Sequence, residues 1–309
     1  MDAIKTPSLQ KRNSFNIQKL WAYIFVVPYV SAYVIFNLYP TIYSFYISFF
    51  SWNGISPKQF VGVQNYVTLL TKDKLFWKSL GNTLAITSIS IPVQIILGLL
   101  AAAVLFKISY RRIPQIILFS PYIIAPIAIG AIFANMFDWQ YGYVNEILTS
   151  LGVISDKIYW LQNEKWAFAI VTMMQIWRHI GYCMVIYLAG MTAISPEIYE
   201  AAKIDGANST QTFFRITIPQ LRDLSVFLVL TSIINGLQLY EMPKQVYAGS
   251  TASFGGPNFS VLTVIWKFVE DAFGSKMALG YGATLCYVLF VIIVAISLFF
   301  NKVLSRRED

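Results

Sequence analysis

Long apolar runs separated by short polar stretches dominate the chain, and their lengths match a bilayer rather than a globular core. Runs that reach or approach the roughly 20 residues needed to cross the hydrocarbon fall at Trp21 to Phe50, Asn82 to Phe106, Ile113 to Phe137, Trp166 to Gly190, Leu224 to Tyr240 and Met277 to Phe300. Six membrane helices are predicted. All are expected to be helical, because lipid leaves backbone polar groups of such a run no partner outside their own helix. The first run exceeds one span and holds Pro28 and Pro40, which predicts one kinked or tilted helix emerging near Trp52. Asn235 and Gln238 interrupt the fifth run, so a short or bent helix is expected there. Residues 1–19 are too polar to insert and form an N-terminal tail, and no small-residue cleavage pattern follows the first run. Residues 20–309 form one six-span domain.

Composition agrees: 57% of the 309 residues are hydrophobic and 12% are charged, outside the range of ordinary soluble domains. Six spans put both termini on one side, and Lys and Arg in short loops set the orientation. Thirteen of them lie on the side of the termini, among them Lys107, Arg111 and Arg112 in one six-residue loop, against nine on the other. Both termini are therefore placed in the cytoplasm. The net charge of +8 is then accounted for by anchoring against anionic lipid, and nucleic-acid binding gains no support.

Candidate chemistry is sparse. Cys183 and Cys286 lie within apolar runs, where free cysteine acts as a small hydrophobe. A single histidine, His179, cannot build a His-rich metal site, and no nucleophile motif is present, so neither catalytic nor metal-binding residues are expected. Gly274–Lys276 reads GSK but lacks the upstream glycine and following Ser or Thr of a phosphate loop, so this chain is not expected to bind ATP or another cofactor itself.

Residues 191–222, between the fourth and fifth runs, carry the sharpest local signals. Ser195 is a candidate N-cap, Pro196 suits the first helical position and Glu197 complements the positive helix end, predicting a helix to about Ile204. Asp205-Gly206 is a turn signal, and Asn208 or Ser209 can cap a second short helix before Pro219 opens the fifth span. The expected product is a helix-turn-helix elbow outside the membrane. Ala201, Ala202 and Ala207 would let another surface approach, while Phe213 and Ile216 share a face that can pack back on the spans.

The run Glu200-Ala201-Ala202, Asp205-Gly206-Ala207, Phe213, Ile216, Pro219 resembles the EAA loop of ABC importer permeases, with Ile218 where Leu is usual. The resemblance extends to LAGM at Leu188 to Met191, GGP at Gly255 to Pro257 and LGYGATLCYVL at Leu279 to Leu289, and points to the sugar-permease branch typified by the maltose and glycerol-3-phosphate systems. It implies an all-α integral membrane fold of six helices with a cytoplasmic coupling loop, in a multi-pass protein of the bacterial cytoplasmic membrane. It also implies partners: a second EAA-bearing permease completing a heterodimeric pore, a cytoplasmic ABC ATPase dimer that holds ATP and Mg, and an extracytoplasmic solute-binding protein delivering a sugar or oligosaccharide. Glu200 would contact the ATPase and Gly206 would aim the elbow.

For the substrate path, Gln175, Arg178 and Tyr182 recur on one face of the fourth span, and an intramembrane charge such as Arg178 usually faces a cavity or partner. Thr231, Asn235, Gln238 and nearby Tyr240 form a similar stripe on the fifth, and Thr83, Thr87, Ser90 and Gln94 on the second. Such stripes suit sugar hydroxyls, yet they also suit hydrogen bonding between packed helices. Both readings stand at this point. Between the fifth span and GGP, the stretch YEMPKQVYAGSTASF is longer than the family pattern and carries Glu241 and Lys244. A stand-alone channel or ion-coupled transporter would need buried acids within its spans, and these spans have none.

Overall fold

The computed structural model describes residues 14–248, 254–274 and 276–305, with the side chains of 14–20, Ala22 and Ser305 outside that description. Lys5, Lys11, Arg12, Arg306 and Arg307 of the charge count, Ser275 of the GSK run, and residues 249–253 of the outer stretch also lie outside the described residues.

The first run is one helix in three pieces: α1 (Ser14–Tyr33), a wide π turn (Val34–Leu38) and α2 (Tyr39–Ile47). Pro40 has no N–H to give, and the widened turn sits just ahead of it. None of the membrane-length window in this helix is buried. Its tie to the other described elements is through α2, where the Tyr287 hydroxyl donates to the Thr41 carbonyl and the Phe45 and Tyr287 rings meet edge to face at 5.0 Å. A two-residue hairpin, β1 (Phe50–Ser51) with β2 (Gln59–Phe60), and α3 (Gln64–Thr71) follow.

α4 (Lys74–Phe106) begins where Asp73 accepts the Phe76 N–H at 2.9 Å, a side-chain cap that satisfies one free donor of the first turn. Its 33 residues extend about 50 Å, so it projects well beyond the hydrocarbon. The third run departs from expectation. It divides into α5 (Arg112–Ile123) and α6 (Pro126–Met136), bent by 95° across extended Ile124 and Ala125. A residue preceding proline is driven out of the helical region, so Pro126 sets the break, and Pro121 loosens the turn before it. α7 (Tyr143–Ser150) leads to α8 (Glu164–Ala193), capped by the Asn163 side chain.

α4 packs along α8 to form the spine of the bundle. Gly98 permits the closeness: a Cβ there would stand 2.5 Å from that of Cys183. Tyr187, Met184, Met191, Ala102 and Leu105 bury around this contact. The polar stripe of α4 is buried within the bundle and takes part in its packing. Thr83 accepts the Val264 N–H and Gln94 donates to Ser232 at 2.9 Å, and all four stripe residues are buried.

Beyond the elbow helices α9 (Pro196–Ile204), α10 (Ser209–Thr212) and α11 (Ile218–Gln220) comes α12 (Arg222–Leu237), the fifth span. Its 16 residues reach about 24 Å, short of the roughly 30 Å hydrocarbon. α13 (Glu241–Val246), α14 (Val264–Phe273) and α15 (Leu279–Ser305) complete the chain. The described structure therefore contains four unbroken membrane-length helices and two bent pairs, six spans when each pair counts once.

Sequence patterning counted Lys267 among loop cations, but it is buried. At the end of the bundle away from the elbow, its ammonium lies 2.8 Å from Asp73 Oδ2 and 2.5 Å from Asp271 Oδ2. Lys276 reaches Asp271 Oδ1 at 2.8 Å, and the Tyr281 hydroxyl donates to Asp73 at 2.6 Å. Three elements, α4, α14 and α15, are tied by this network. Removing one partner from such a buried pair leaves an uncompensated charge, which is why it holds its geometry.

Candidate functional site

The elbow is built by two complementary caps. α9 ends at Asp205, and Gly206 turns left-handed with φ +81°. Its N–H donates to Lys203 O at 3.2 Å while the Ala207 N–H donates to Ala202 O at 2.9 Å, so the last carbonyls of the helix are satisfied by a Schellman turn. The next residue starts the second helix. Asn208 accepts the Gln211 N–H at 2.8 Å and Gln211 accepts the Asn208 N–H at 2.9 Å, a reciprocal capping box. Each turn of the bend is thus closed by a backbone or side-chain hydrogen bond, and no space-filling contact restricts Gly206: a Cβ there meets nothing within 4 Å.

Three details differ from the sequence expectation. Ser195 occupies the N-cap position, but its hydroxyl turns to Glu197 at 3.4 Å instead of capping the backbone. Ala202 is 6% exposed and faces the bundle, so it cannot offer a docking surface. Pro219 does not open the fifth span. The helix from Ser209 runs through a π segment (Phe213–Thr217) and contains Pro219, then bends by 63° at Leu221 before α12 begins. Phe213 packs against the α4–α8 core as expected, and Ile216 is half-buried. Outward stand Glu200, Ala201 and Ile204, the last 86% exposed. No described residue pairs with the Glu200 carboxylate.

A second site lies where the broken span meets α8. Gly181 has no side chain to hold the helices apart: a Cβ would fall 2.0 Å from Leu118 O. That approach delivers Tyr122, one residue from the end of α5, onto α8. Its ring stacks on Tyr182 at 4.8 Å, meets His179 edge-on at 5.8 Å, and receives the Arg178 guanidinium at 5.3 Å from its centre. Two elements, α5 and α8, therefore meet in one aromatic and cationic cluster.

The predicted path residues divide accordingly. Arg178 and Tyr182 join the cluster, and Gln175 stands one turn away, 3% exposed, with Oε1 lacking a hydrogen-bond partner. Arg178 Nε is likewise buried without one. Asn235 and Gln238 lie on the exposed face of α12, and Tyr240 accepts a hydrogen bond from Lys244 at 2.8 Å. Tyr122 was missed by sequence reasoning. Its one signal was an aromatic beside the Pro121 and Pro126 pair, where a break would free it to point across the bundle. His179 serves packing, its Nδ1 2.9 Å from Gln175 O.

Broken helices, a polar cluster among the spans and a projecting elbow define a polytopic transport protein. The pattern of binding-protein-dependent transport system inner membrane components matches residues 94–308, and the chain belongs to that family. It is similar to the lactose transport system permease protein LacF of Rhizobium radiobacter, 34% identical over 93% of this chain and 94% of the relative. It is also similar to the arabinooligosaccharides transport system permease protein AraP of Bacillus subtilis, 31% identical over 93% of this chain and 89% of that one. Among solved structures, a chain of a bacterial alginate ABC transporter in complex with its pentasaccharide-bound periplasmic protein superposes with a TM-score of 0.80. That likeness, at 22% identity over 96% of this chain and 98% of the other, concerns the fold.

Proposed function

We propose that this chain forms half of the pore of an ATP-driven importer that takes a sugar or oligosaccharide from an extracytoplasmic binding protein. The observation that carries the reading is the elbow. Two adjacent caps fix by hydrogen bonds a bend whose first arm, α9, carries an unpaired carboxylate, Glu200, on its exposed face. Its role is to sit in a groove of a separate ATPase subunit, which holds ATP and Mg. Closure of an ATPase dimer would displace two such elbows and rock the helix bundles between inward-facing and outward-facing states. Both termini and the elbow then face the cytoplasm, in keeping with the distribution of Lys and Arg.

The second permease fits the first helix. Its membrane window is unburied within this chain, and Asn235 and Gln238 stand exposed on α12 where lipid would be a poor neighbour. A partner subunit beside these faces, enclosing a wet path, accounts for both. Within that path Tyr122, Arg178 and Tyr182 offer a ring face and a donor fork, suited to sugar ring faces and hydroxyls. The names of the relatives, lactose and arabinooligosaccharide permeases among them, support the substrate class.

The test is reconstitution. The chain co-expressed with its neighbouring permease, ATPase and binding-protein genes should yield a complex whose ATP hydrolysis rises with a sugar-loaded binding protein. A complex that hydrolyses ATP at the same rate with every sugar tried, and imports none, overturns the sugar assignment. Failure of any ATPase to associate overturns the coupling role.

A further inference from the structure

At the elbow end of the bundle, a groove of about 1080 Å3 opens between the last turns of α4, the α9 helix and the segment that follows Gly206. Its walls change character along its depth. Toward the middle of the bundle they are Ala103 and Val104 of α4 with Phe213 and Phe214 of the π segment, all apolar. Val104 and Phe214 are more than half exposed to the surroundings of the chain. At the outer rim stand two cations, Lys107 at the end of α4 and Lys203 on α9, beside the polar side chains of Asn208 and Thr210. No carboxylate lines the groove. The boundary between the two halves coincides with the end of the apolar α4 run at Phe106, the position at which a span of this composition is expected to leave the hydrocarbon.

We propose that this groove binds an anionic phospholipid, its phosphate between Lys107 and Lys203 and its upper acyl chains against Val104, Phe213 and Phe214. Charge decides the occupant. Two lysines lining one recess at the end of an apolar run, with no acid among the described residues paired to them, call for an anion, and the apolar wall beneath calls for attached hydrocarbon. A free phosphate would satisfy the rim and leave the wall exposed. An apolar helix of another subunit would do the reverse and strip water from two unpaired lysines. The volume, about 1080 Å3, has room for a headgroup with its glycerol and first methylenes. Clusters of basic residues just beyond a membrane helix attract acidic lipid by the same physics, each lysine contributing independently.

A lipid so placed would bridge elements that otherwise touch lightly. Tyr199 of α9 meets Phe106 of α4 at 5.9 Å between ring centres and Thr217 at 3.4 Å, and the groove lies over these contacts. Bound lipid would therefore brace the elbow against α4. The inference does not depend on what the pore carries.

The experiment uses the full chain with the subunits that co-purify with it, placed in nanodiscs of phosphatidylcholine mixed with phosphatidylglycerol, then released gently for native mass spectrometry. Phosphatidylglycerol should be retained in preference to phosphatidylcholine. Lys107→Gln and Lys203→Gln should each lower that retention about fivefold, and added salt should weaken it in the unaltered complex. Ala103→Trp, which fills the apolar half without changing charge, should also displace the lipid. Equal retention of the two lipids by the unaltered complex overturns the proposal, and that measurement stands even if a variant fails to assemble. Retention unchanged in the Lys107→Gln, Lys203→Gln double variant overturns it too, as does efficient cross-linking of Val104→Cys to another subunit of the lipid-bound complex.

Discussion

The Arg178 guanidinium lies 5.3 Å from the centre of the Tyr122 ring, joining a helix broken by proline to an unbroken one. An arginine within a span is expensive unless something answers its charge. Here the ring face does so, while Nε remains without a hydrogen-bond acceptor.

If this cluster contacts the transported sugar, Arg178→Ala should raise the substrate concentration needed for half-maximal uptake by about tenfold, for loss of a charge-assisted hydrogen bond, and Tyr122→Leu should raise it through loss of a ring face. Assembly should be preserved. Loss of the chain from the membrane with unaltered affinity in the surviving fraction would assign the cluster to helix packing.

Glu200→Lys reverses the charge on the exposed face of α9 without touching any bond inside the bend. The complex should still insert, while stimulation of ATP hydrolysis by loaded binding protein falls to the basal rate. Stimulation equal to the unaltered protein would remove Glu200 from the docking surface.

Gly206 occupies φ +81° with open space where a side chain would go, so substitutions there test backbone strain alone. Gly206→Val should disable uptake, because a β-branched residue in the left-handed region costs at least about 1–2 kcal/mol. Gly206→Asn, which tolerates that region, should keep most of it. Equal loss in both variants would contradict the left-handed turn.

Asp73 provides the pH-dependent element. Burial by itself would raise its carboxyl pKa, but hydrogen bonds from Lys267 and Tyr281, with the Phe76 N–H, hold it below the ordinary value. A folded value below the unfolded one means that the stabilisation is complete above the unfolded value and disappears as pH falls through the folded one. The thermal midpoint of the purified complex should therefore be insensitive to this group near neutrality and drop below about pH 4. Asp73→Asn should remove that acid-sensitive component and cost about 3 kcal/mol, since Lys267 keeps Asp271.

Features written in neighbouring residues were legible from the sequence. Pro196, Gly206 and Asn208 specify α9, the turn and the second cap through bonds spanning three to five residues, and these formed where expected. The run lengths likewise gave the six-span count. What escaped were contacts between distant segments and competition between local rules. Lys267 reads as a loop cation until α14 folds against Asp73, and Tyr122 reads as one more membrane aromatic until Gly181 draws α5 onto α8. The 95° break was foreshadowed by Pro121 and Pro126, but apolar continuity from Ile113 to Phe137 masked it. Ser195 shows the limit of cap statistics: the position was right and the hydroxyl had a nearer acceptor.

The interlocked caps around Gly206 also bear on how movement passes through the protein. A loose connector would swallow the first few ångströms of any stroke as slack. A bend with its turns already bonded has little give, so if the elbow is driven as proposed, displacement at its outer end should reach α8 and α12 nearly undiminished and carry the timing of one side of the membrane to the other.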